Sequence, residues 1–294
     1  MIPNLETLQI IDTQFSAAFK LGLARAVERY DLIATRIASG TRLNTYAWLG
    51  AFPRMREWIG DRIIQGLDGK SYQLINKDYE LTLGVPRKDI EDDAFGIYMP
   101  IAEQFGQEIA GHPGELVFTA LQNGGDADAL CYDGQPFFDT AHPVGNSTVS
   151  NDTAGGGAAW YVLDTTKVLK PLIFQERRPA ELVSKNRVDD DNMFWEKQAI
   201  WGADGRYVAG YGMWQTAHRS KATLNEANLA AARQAMRERT DDKGRKLNLT
   251  PNLLVVPPSL ELTADKLISQ LVLASGETNI MRGKYQLHVS NFLS

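Results

Sequence analysis

Two periodicities run along this chain and divide it into helical and strand-like stretches. Residues 4–30 carry apolar side chains at Leu8, Ile11, Phe15, Phe19 and Val27, which fall on one face of a helix. That stripe must be buried against something, and sequence alone does not say whether in this subunit or a neighbour. Residues 81–124 begin with period two: Leu81, Leu83 and Val85 alternate with Thr82 and Gly84, a strand with one buried face that Pro86 ends. Asp89, Glu91, Asp92 and Asp93 then suit the positive end of a helix. Ile97, Ile101, Phe105 and Ile109 recur every fourth residue and predict an apolar helical face, with Pro100 tolerable only near the helix start. His112-Pro113 predicts a break, after which Leu116, Val117, Ala120 and Leu121 continue until Asn123-Gly124-Gly125.

The remaining stretches differ in texture. In 41–80, Tyr46, Trp48, Phe52 and Trp58 stand beside Arg42, Arg54, Arg56 and Arg62, and Asp68-Gly69 between two short apolar-polar runs signals a hairpin. Isolated hairpins are marginal in water, so a projecting hairpin stabilised on a partner is one reading and a hairpin packed on its own domain the other. Residues 125–159 are rich in Gly, Asp, Asn, Ser and Thr and predict a long loop or a series of turns. Residues 160–222 return to strand character, punctuated by Pro171 and Pro179, and Ala203-Asp204-Gly205 predicts the turn of an antiparallel pair. From 223 the pattern reads helix, strand, helix, strand. Thr223 to Glu226 form a capping box, Leu229, Ala232 and Met236 share a face, Leu253–Val256 is a buried strand, Ser259 caps the second helix with Leu260, Ala264, Leu267 and Leu271 inward, and residues 285–289 close with a strand.

Composition narrows the functions these elements can serve. The net charge of −5 argues against a dedicated nucleic-acid binder. No run of about eighteen apolar residues exists to span a membrane, and the first residues lack the layout of a secretory signal. One cysteine, Cys131, excludes an intrachain disulfide framework. Cys131, Asp133, Asp139 and His142 form the most chemically suggestive cluster, since a base beside a thiol makes a nucleophile. Catalytic Cys and His are commonly brought from separate elements, and zinc would want more ligands than one Cys and one His, so this cluster reads as packing in a polar loop. Asp189-Asp190-Asp191 lacks the ligand spacing of a calcium loop and reads as a solvated or arginine-paired turn. The interleaved arginines and aromatics of 42–62 suit single-stranded nucleic acid or, more in keeping with an acidic chain, a protein–protein surface.

The chain also resembles the Mu-like phage and prophage major head subunits, the gpT-type major capsid proteins. The residues that carry the likeness are Leu43-Asn44-Thr45-Tyr46-Ala47-Trp48-Leu49-Gly50, Phe52-Pro53, Glu57-Trp58, Asp89 to Asp93 with Gly96-Ile97-Tyr98, and Cys131-Tyr132-Asp133-Gly134-Gln135. Phe174-Gln175-Glu176-Arg177-Arg178, Asp189-Asp190-Asp191 and Ala209-Gly210-Tyr211-Gly212 extend it in the same order over nearly the whole chain. It departs from the family pattern at the N-terminal helix and in 143–159.

The resemblance implies an α+β fold of the Hong-Kong-97 type. On it, 1–40 would be an N-terminal arm and 41–80 the projecting E-loop hairpin. Residues 81–125 and 160–222 would be a peripheral domain with a spine helix at about 94–123, and 126–159 with 223–294 an axial domain. It implies a capsid subunit and no enzyme, with no catalytic residue, metal or cofactor. The subunit would assemble with itself through hexamers and pentamers into an icosahedral shell around double-stranded DNA, touching the DNA non-specifically. A portal, a scaffold and decoration or minor capsid proteins would be further partners, no membrane would be involved, and assembly would take place in the host bacterial cytoplasm before the protein resides in the virion. Phe15, Phe19, Trp48, Phe52, Arg54, Trp58, Arg62, Ile64 and Tyr72 are the expected contacts between subunits. The competing readings are an encapsulin-like shell enclosing cargo enzymes and, from another class, a hydrolase using Cys131 and His142.

Overall fold

The N-terminal stripe forms α1 (Leu5–Leu23), in which Ile11, Phe15 and Phe19 are buried. A computed structural model describes residues 5–25, 29–46, 72–92, 97–187, 189–272 and 278–294. After α1 come a single 3-10 turn (Tyr30–Leu32), β1 (Ala34–Ala38), β2 (Leu43–Tyr46), β3 (Tyr72–Ile75), β4 (Lys77–Pro86), the short α2 (Arg87–Glu91) and the long α3 (Tyr98–Gln122). The turn-rich stretch holds β5 (His142–Val144), β6 (Ser147–Val149) and β7 (Asp152–Thr153), followed by β8 (Trp160–Leu163). Two strands of fourteen residues, β9 (Leu172–Lys185) and β10 (Gln198–Tyr211), are joined through a wide π-type turn at Asn192–Glu196. β11 (Ala217–Ser220), α4 (Glu226–Glu238), β12 (Leu253–Val256), α5 (Glu261–Ser269) and β13 (Gln286–Val289) complete the chain.

The strands form two main sheets. One has the order β1-β9-β10-β4, with β1 parallel to β9 and the rest antiparallel. Ala199, Trp201, Ala203 and Tyr207 of β10 point to one face of it and are buried, and α1 and α3 supply Phe15, Phe19, Phe105 and Ile109 to that core. The other sheet has the order β13-β12-β8-β11-β7. Leu229, Ala232 and Met236 of α4 and Ala264 and Leu267 of α5 pack against Trp160, Val162, Leu254 and Val256 on one of its faces. β2 pairs with β3, and β5 with β6, as separate two-stranded units. No helix among the described residues is long and apolar enough to cross a membrane.

Several boundaries differ from the sequence reading, each for a physical reason. α3 runs unbroken through Pro113. A proline inside a helix costs about 3 kcal/mol, but Phe105 and Ile109 before it and Val117, Phe118 and Leu121 after it are all buried on the same body, and that packing outweighs the lost bond. The apolar face of α3 is shorter than the pattern suggests: Ile97 and Ile101 are 69% and 39% exposed, and the buried stripe starts at Ala102. β9 passes straight through Pro179, and β10 through Asp204-Gly205, where the sequence predicts a turn. The two disruptive positions lie side by side. The β9–β10 register shifts between Asp204 and Arg206, so the ladder has a bulge where proline has no N–H to give. A side chain on Gly205 would meet Tyr207 and Ala180.

Near the C-terminus the elements stand where the pattern puts them, with shifted caps. Asn225, not Thr223, caps α4, its side chain accepting from the Asn228 N–H at 2.9 Å. Ser259 lies in a 3-10 turn ahead of α5 and makes no cap, and Leu271 is exposed beyond the helix end. The capping-box spacing is a local signal, and here the chain enters α4 two residues later because Leu224 is drawn into the core. β8 and β11, which the sequence groups with the long strands, pair instead in the five-stranded sheet with β12.

Candidate functional site

The features expected to meet a neighbouring subunit are placed by three parts of the fold. α1 is the first. Its Phe15 ring stacks on Trp201 at 4.4 Å and an interplanar angle of 15°, and Phe19 meets Phe105 at 5.7 Å. Trp201 Nε1 donates to Asp12 at 3.0 Å, and so does Asn186 Nδ2. The helices α1 and α3 cross on two glycines: a Cβ on Gly22 would lie 1.9 Å from the Glu103 carbonyl oxygen, and one on Gly106 would lie 2.2 Å from that of Phe19. Phe15 and Phe19, expected as contacts between subunits, are therefore placed within this chain's own core. The stripe was legible, but its direction depends on a tertiary crossing that no local pattern encodes.

The β2–β3 pair, at the base of the expected hairpin, is the second part. Antiparallel pairing runs from Leu43 opposite Ile75 to Tyr46 opposite Tyr72, and residues 47–71 lie outside the described residues. Trp48, Phe52, Arg54, Trp58, Arg62 and Ile64, and the Asp68-Gly69 turn, fall in that outside stretch. Two polar locks hold the base to the long sheet. The fully buried Gln175 accepts from Tyr46 Oη at 2.7 Å and donates to Asn76 Oδ1 at 2.8 Å. Asn76 in turn donates to Ser39 Oγ and the Thr41 carbonyl. Tyr72 Oη accepts the Tyr211 N–H at 2.9 Å, and burial pushes its phenol above the usual tyrosine range. Tyr72, expected on a neighbour, is thus anchored to its own sheet. Gln175 and Asn76 are positions that sequence reasoning missed, because a lone amide in a strand carries no distinctive signal.

The third part is the tip where β9 turns into β10. Phe194 and Trp195 are 68% and 76% exposed and touch edge to face at 4.9 Å. Asn192 fastens the two strand ends by donating to the Lys185 and Gln198 carbonyls. Arg87, Lys88 and Lys197 line a depression beside this turn, and the Asp189-Asp190-Asp191 run precedes it. The sequence reads Phe194 and Trp195 as part of a strand. A second exposed apolar group, Leu262, Leu271, Val272 and Ile280, lies at and beyond α5. Between α3 and the long sheet runs a cleft whose rim carries Glu80, Glu108 and Glu115, with Tyr79, His112 and Tyr207 within it. His112 Nδ1 lies 2.8 Å from Tyr207 Oη, and burial lowers its basicity.

The Cys131 cluster assembles, but not as a nucleophile. The thiol donates to Asp133 Oδ1 at 2.9 Å, and His142 Nδ1 lies 2.7 Å from Asp133 Oδ2. Burial, and then the Asp133 charge, push the thiol far above the usual cysteine range, whereas the reactive form is the thiolate. Burial would raise the Asp133 carboxyl, but hydrogen bonds from His142 and Cys131 outweigh it and leave it below the usual range. Cys131, Asp133 and His142 offer donor atoms within 4.8 Å of one another. Each is already committed to another of the three, and zinc wants a fourth ligand. Asp139 stays outside, its carboxylate accepting the Ala141 N–H. The stretch folds this way because His142 Nε2 reaches Asn151 Oδ1 at 3.2 Å and its ring lies flat on Trp214 at 4.0 Å. Asn151 belongs to the same turn-rich stretch, whereas Trp214 comes from the turn after β10 and was not singled out in the sequence.

Comparison with known proteins places this architecture. A model of the Mu-like prophage major head subunit gpT family matches residues 8–293. The chain is 40% identical over 307 residues to the major capsid protein of Escherichia phage Mu, covering 100% of both. It is 41% identical over 271 residues to the Mu-like prophage FluMu major head subunit of Haemophilus influenzae, covering 87% of this chain and 86% of that one. Among solved structures, the procapsid of bacteriophage JBD30 superposes with a TM-score of 0.87 at 41% identity, covering 99% of this chain and 100% of that one. The JBD30 capsid superposes with 0.81 at 35% identity, covering 92% and 93%. A JBD30 capsid described as decorated with minor capsid protein trimers superposes with 0.79 at 34% identity, covering 92% of this chain and 93% of that one.

Proposed function

The chain belongs to the family of Mu-like prophage major head subunits, and on that premise we propose how its surfaces build a shell. It is a major capsid protein with the phage major capsid fold of the Hong-Kong-97 type. The observation that carries the reading of its surfaces is the division of its anchors. The feet of the expected hairpin, β2 and β3, are locked to the long sheet through Gln175 and Tyr72, and the sequence between them, 47–71, carries the aromatic and arginine positions.

In this reading the 1–40 arm and the 41–80 loop begin the subunit, and the peripheral domain is built on α3 and the β1-β9-β10-β4 sheet. The axial domain is the five-stranded sheet, taking β8 and β11 with it. Trp48, Phe52, Arg54, Trp58, Arg62 and Ile64 bear on a neighbouring copy. The acid-rimmed cleft of Glu80, Glu108 and Glu115 offers such arginines the opposite charge. Phe194 and Trp195 form a further contact, since exposed aromatics beside arginine are the side chains that carry most interface energy. Obligate interfaces of this kind bury more than about 2,000 Å². Hexamers and pentamers then close an icosahedral shell around double-stranded DNA, assembled in the host cytoplasm with a scaffold and a portal. Decoration by minor capsid proteins follows the pattern of the JBD30 relative.

Electron microscopy of the purified protein tests this. Wild type forms closed shells, whereas deletion of 61–71, which spares β3, leaves a soluble folded subunit without them. Normal shells from the deletion variant would refute the role given to the loop.

A further inference from the structure

The buried Cys131–Asp133–His142 cluster plays no part in those contacts, and its hydrogen bonds fix a charge. Asn151 is the reference point. Its Oδ1 accepts the Asp139 N–H at 2.8 Å, while its Nδ2 donates to the Phe137 carbonyl at 2.7 Å and lies 3.4 Å from that of Trp214. Exchanging oxygen and nitrogen would set an NH2 against an N–H and an oxygen against two carbonyls, so the backbone dictates this orientation. His142 Nε2, 3.2 Å from that oxygen, must therefore carry a proton. Nδ1, 2.7 Å from Asp133 Oδ2, shares a second proton with the carboxylate. Asp133 Oδ1 already accepts the Cys131 thiol at 2.9 Å and the Gln135 N–H at 3.1 Å, which favours the ionised carboxylate and leaves the proton on the ring. The ring lies 4.0 Å from the Trp214 indole at an angle of 8°, where an aromatic face attracts a cation.

We propose that His142 and Asp133 form a buried imidazolium–carboxylate pair that fastens the 126–151 segment onto Trp214. The charged and titratable groups around it are few. Cys131 and Asp133 come from its own segment, and the Asp139 carboxylate faces the Ala141 N–H. Asp242 accepts the Gly145 N–H, and Arg239 lies 5.6 Å from the Trp214 ring, committed to the Gln215 and Ala217 carbonyls. Loss of the ring proton turns a nitrogen lone pair onto an oxygen, on either side of the ring.

Labelling histidine with nitrogen-15 tests the charge directly, since the chain holds only four histidines. Solid-state NMR of shells at pH 7.5 should show both His142 ring nitrogens bonded to hydrogen, and a bare nitrogen on that ring would overturn the pair. The signal is assigned by its loss in His142→Gln or, if that variant does not fold, by subtraction using His112→Gln, His218→Gln and His288→Gln. Asp133→Asn should remove one of the two ring protons, and their retention would overturn the role of the carboxylate. Hydrogen exchange at a single pH should show residues 126–151 opening at least tenfold faster in Asp133→Asn than in wild type, and equal rates would overturn the fastening.

Discussion

Where α1 crosses α3, contact is made by Phe15, Phe19, Phe105 and Trp201 over two glycines, with Asp12 as the main polar anchor. Around Trp214 the interior is built the other way. His142, Asn151, His218 and Arg239 are all buried there, and the Arg239 guanidinium donates to the Gln215 and Ala217 carbonyls and faces His218 Nδ1 at 3.2 Å. The first region is held by area, which is non-directional and tolerant of small changes in shape. The second is held by donors and acceptors that must be matched one to one, so a single atom out of place leaves several groups unsatisfied. The difference assigns two kinds of robustness to one subunit. The helical layer resists conservative change but not loss of volume, and the polar interior resists neither exchange of polarity nor a change of protonation.

The largest expected effect is in the apolar layer. Trp201→Ala should cost about 3–5 kcal/mol in denaturant unfolding of the unassembled subunit, while Ile11→Leu should cost less than about 1.5 kcal/mol. Asn151→Leu keeps the size roughly constant and should still cost about 1–3 kcal/mol for each backbone group it orphans. Equal tolerance of Ile11→Leu and Asn151→Leu would dissolve the contrast. Gly106→Ala should cost about 1–3 kcal/mol, because the Phe19 carbonyl must move aside.

A smaller effect comes from a buried histidine and depends on pH. Burial first, and Arg239 second, push His218 from its usual value near 6.5 down to about 3. It is neutral in the folded protein, so its contribution to stability is present above about pH 6.5 and is lost as pH falls towards 3. Thermal melting across that window should therefore show an acid limb that His218→Gln flattens. The smallest effect should be at the α4 cap, where Asn225→Ala removes a bond to the Asn228 N–H and costs about 1 kcal/mol.

Short-range physics was readable in the sequence wherever an element obeys its own periodicity. Leu229, Ala232 and Met236 share the buried face of α4 because helix spacing alone puts them there, and Leu253–Val256 is buried on both sides as its unbroken apolar run suggests. Pro113, Pro179 and Gly205 misled for one shared reason: the local cost is real, but burial or a neighbouring bulge overrides it. Cys131, Asp133 and His142 could be read as a group because they lie within one short stretch of turns. Asn151 lies in that same stretch but shows its part only through its backbone partners, while Trp214 and Arg239 reach the group only in three dimensions. Phe194 and Trp195 looked like strand residues because β-propensity cannot tell a buried aromatic from one displayed at a turn.

The uninterrupted course of β9 and β10 has a mechanical consequence. Fourteen residues of extended chain reach roughly 45 Å, so the pair is a stiff lever with Phe194 and Trp195 at its far end. A rotation of one degree of the whole sheet about its Leu172–Tyr211 end displaces the tip by about 0.8 Å over such a length. Slight reorientations at the root thus become steps of atomic size at the tip, and the curvature of a closed surface built from such levers is set by angles too small to see in any single subunit.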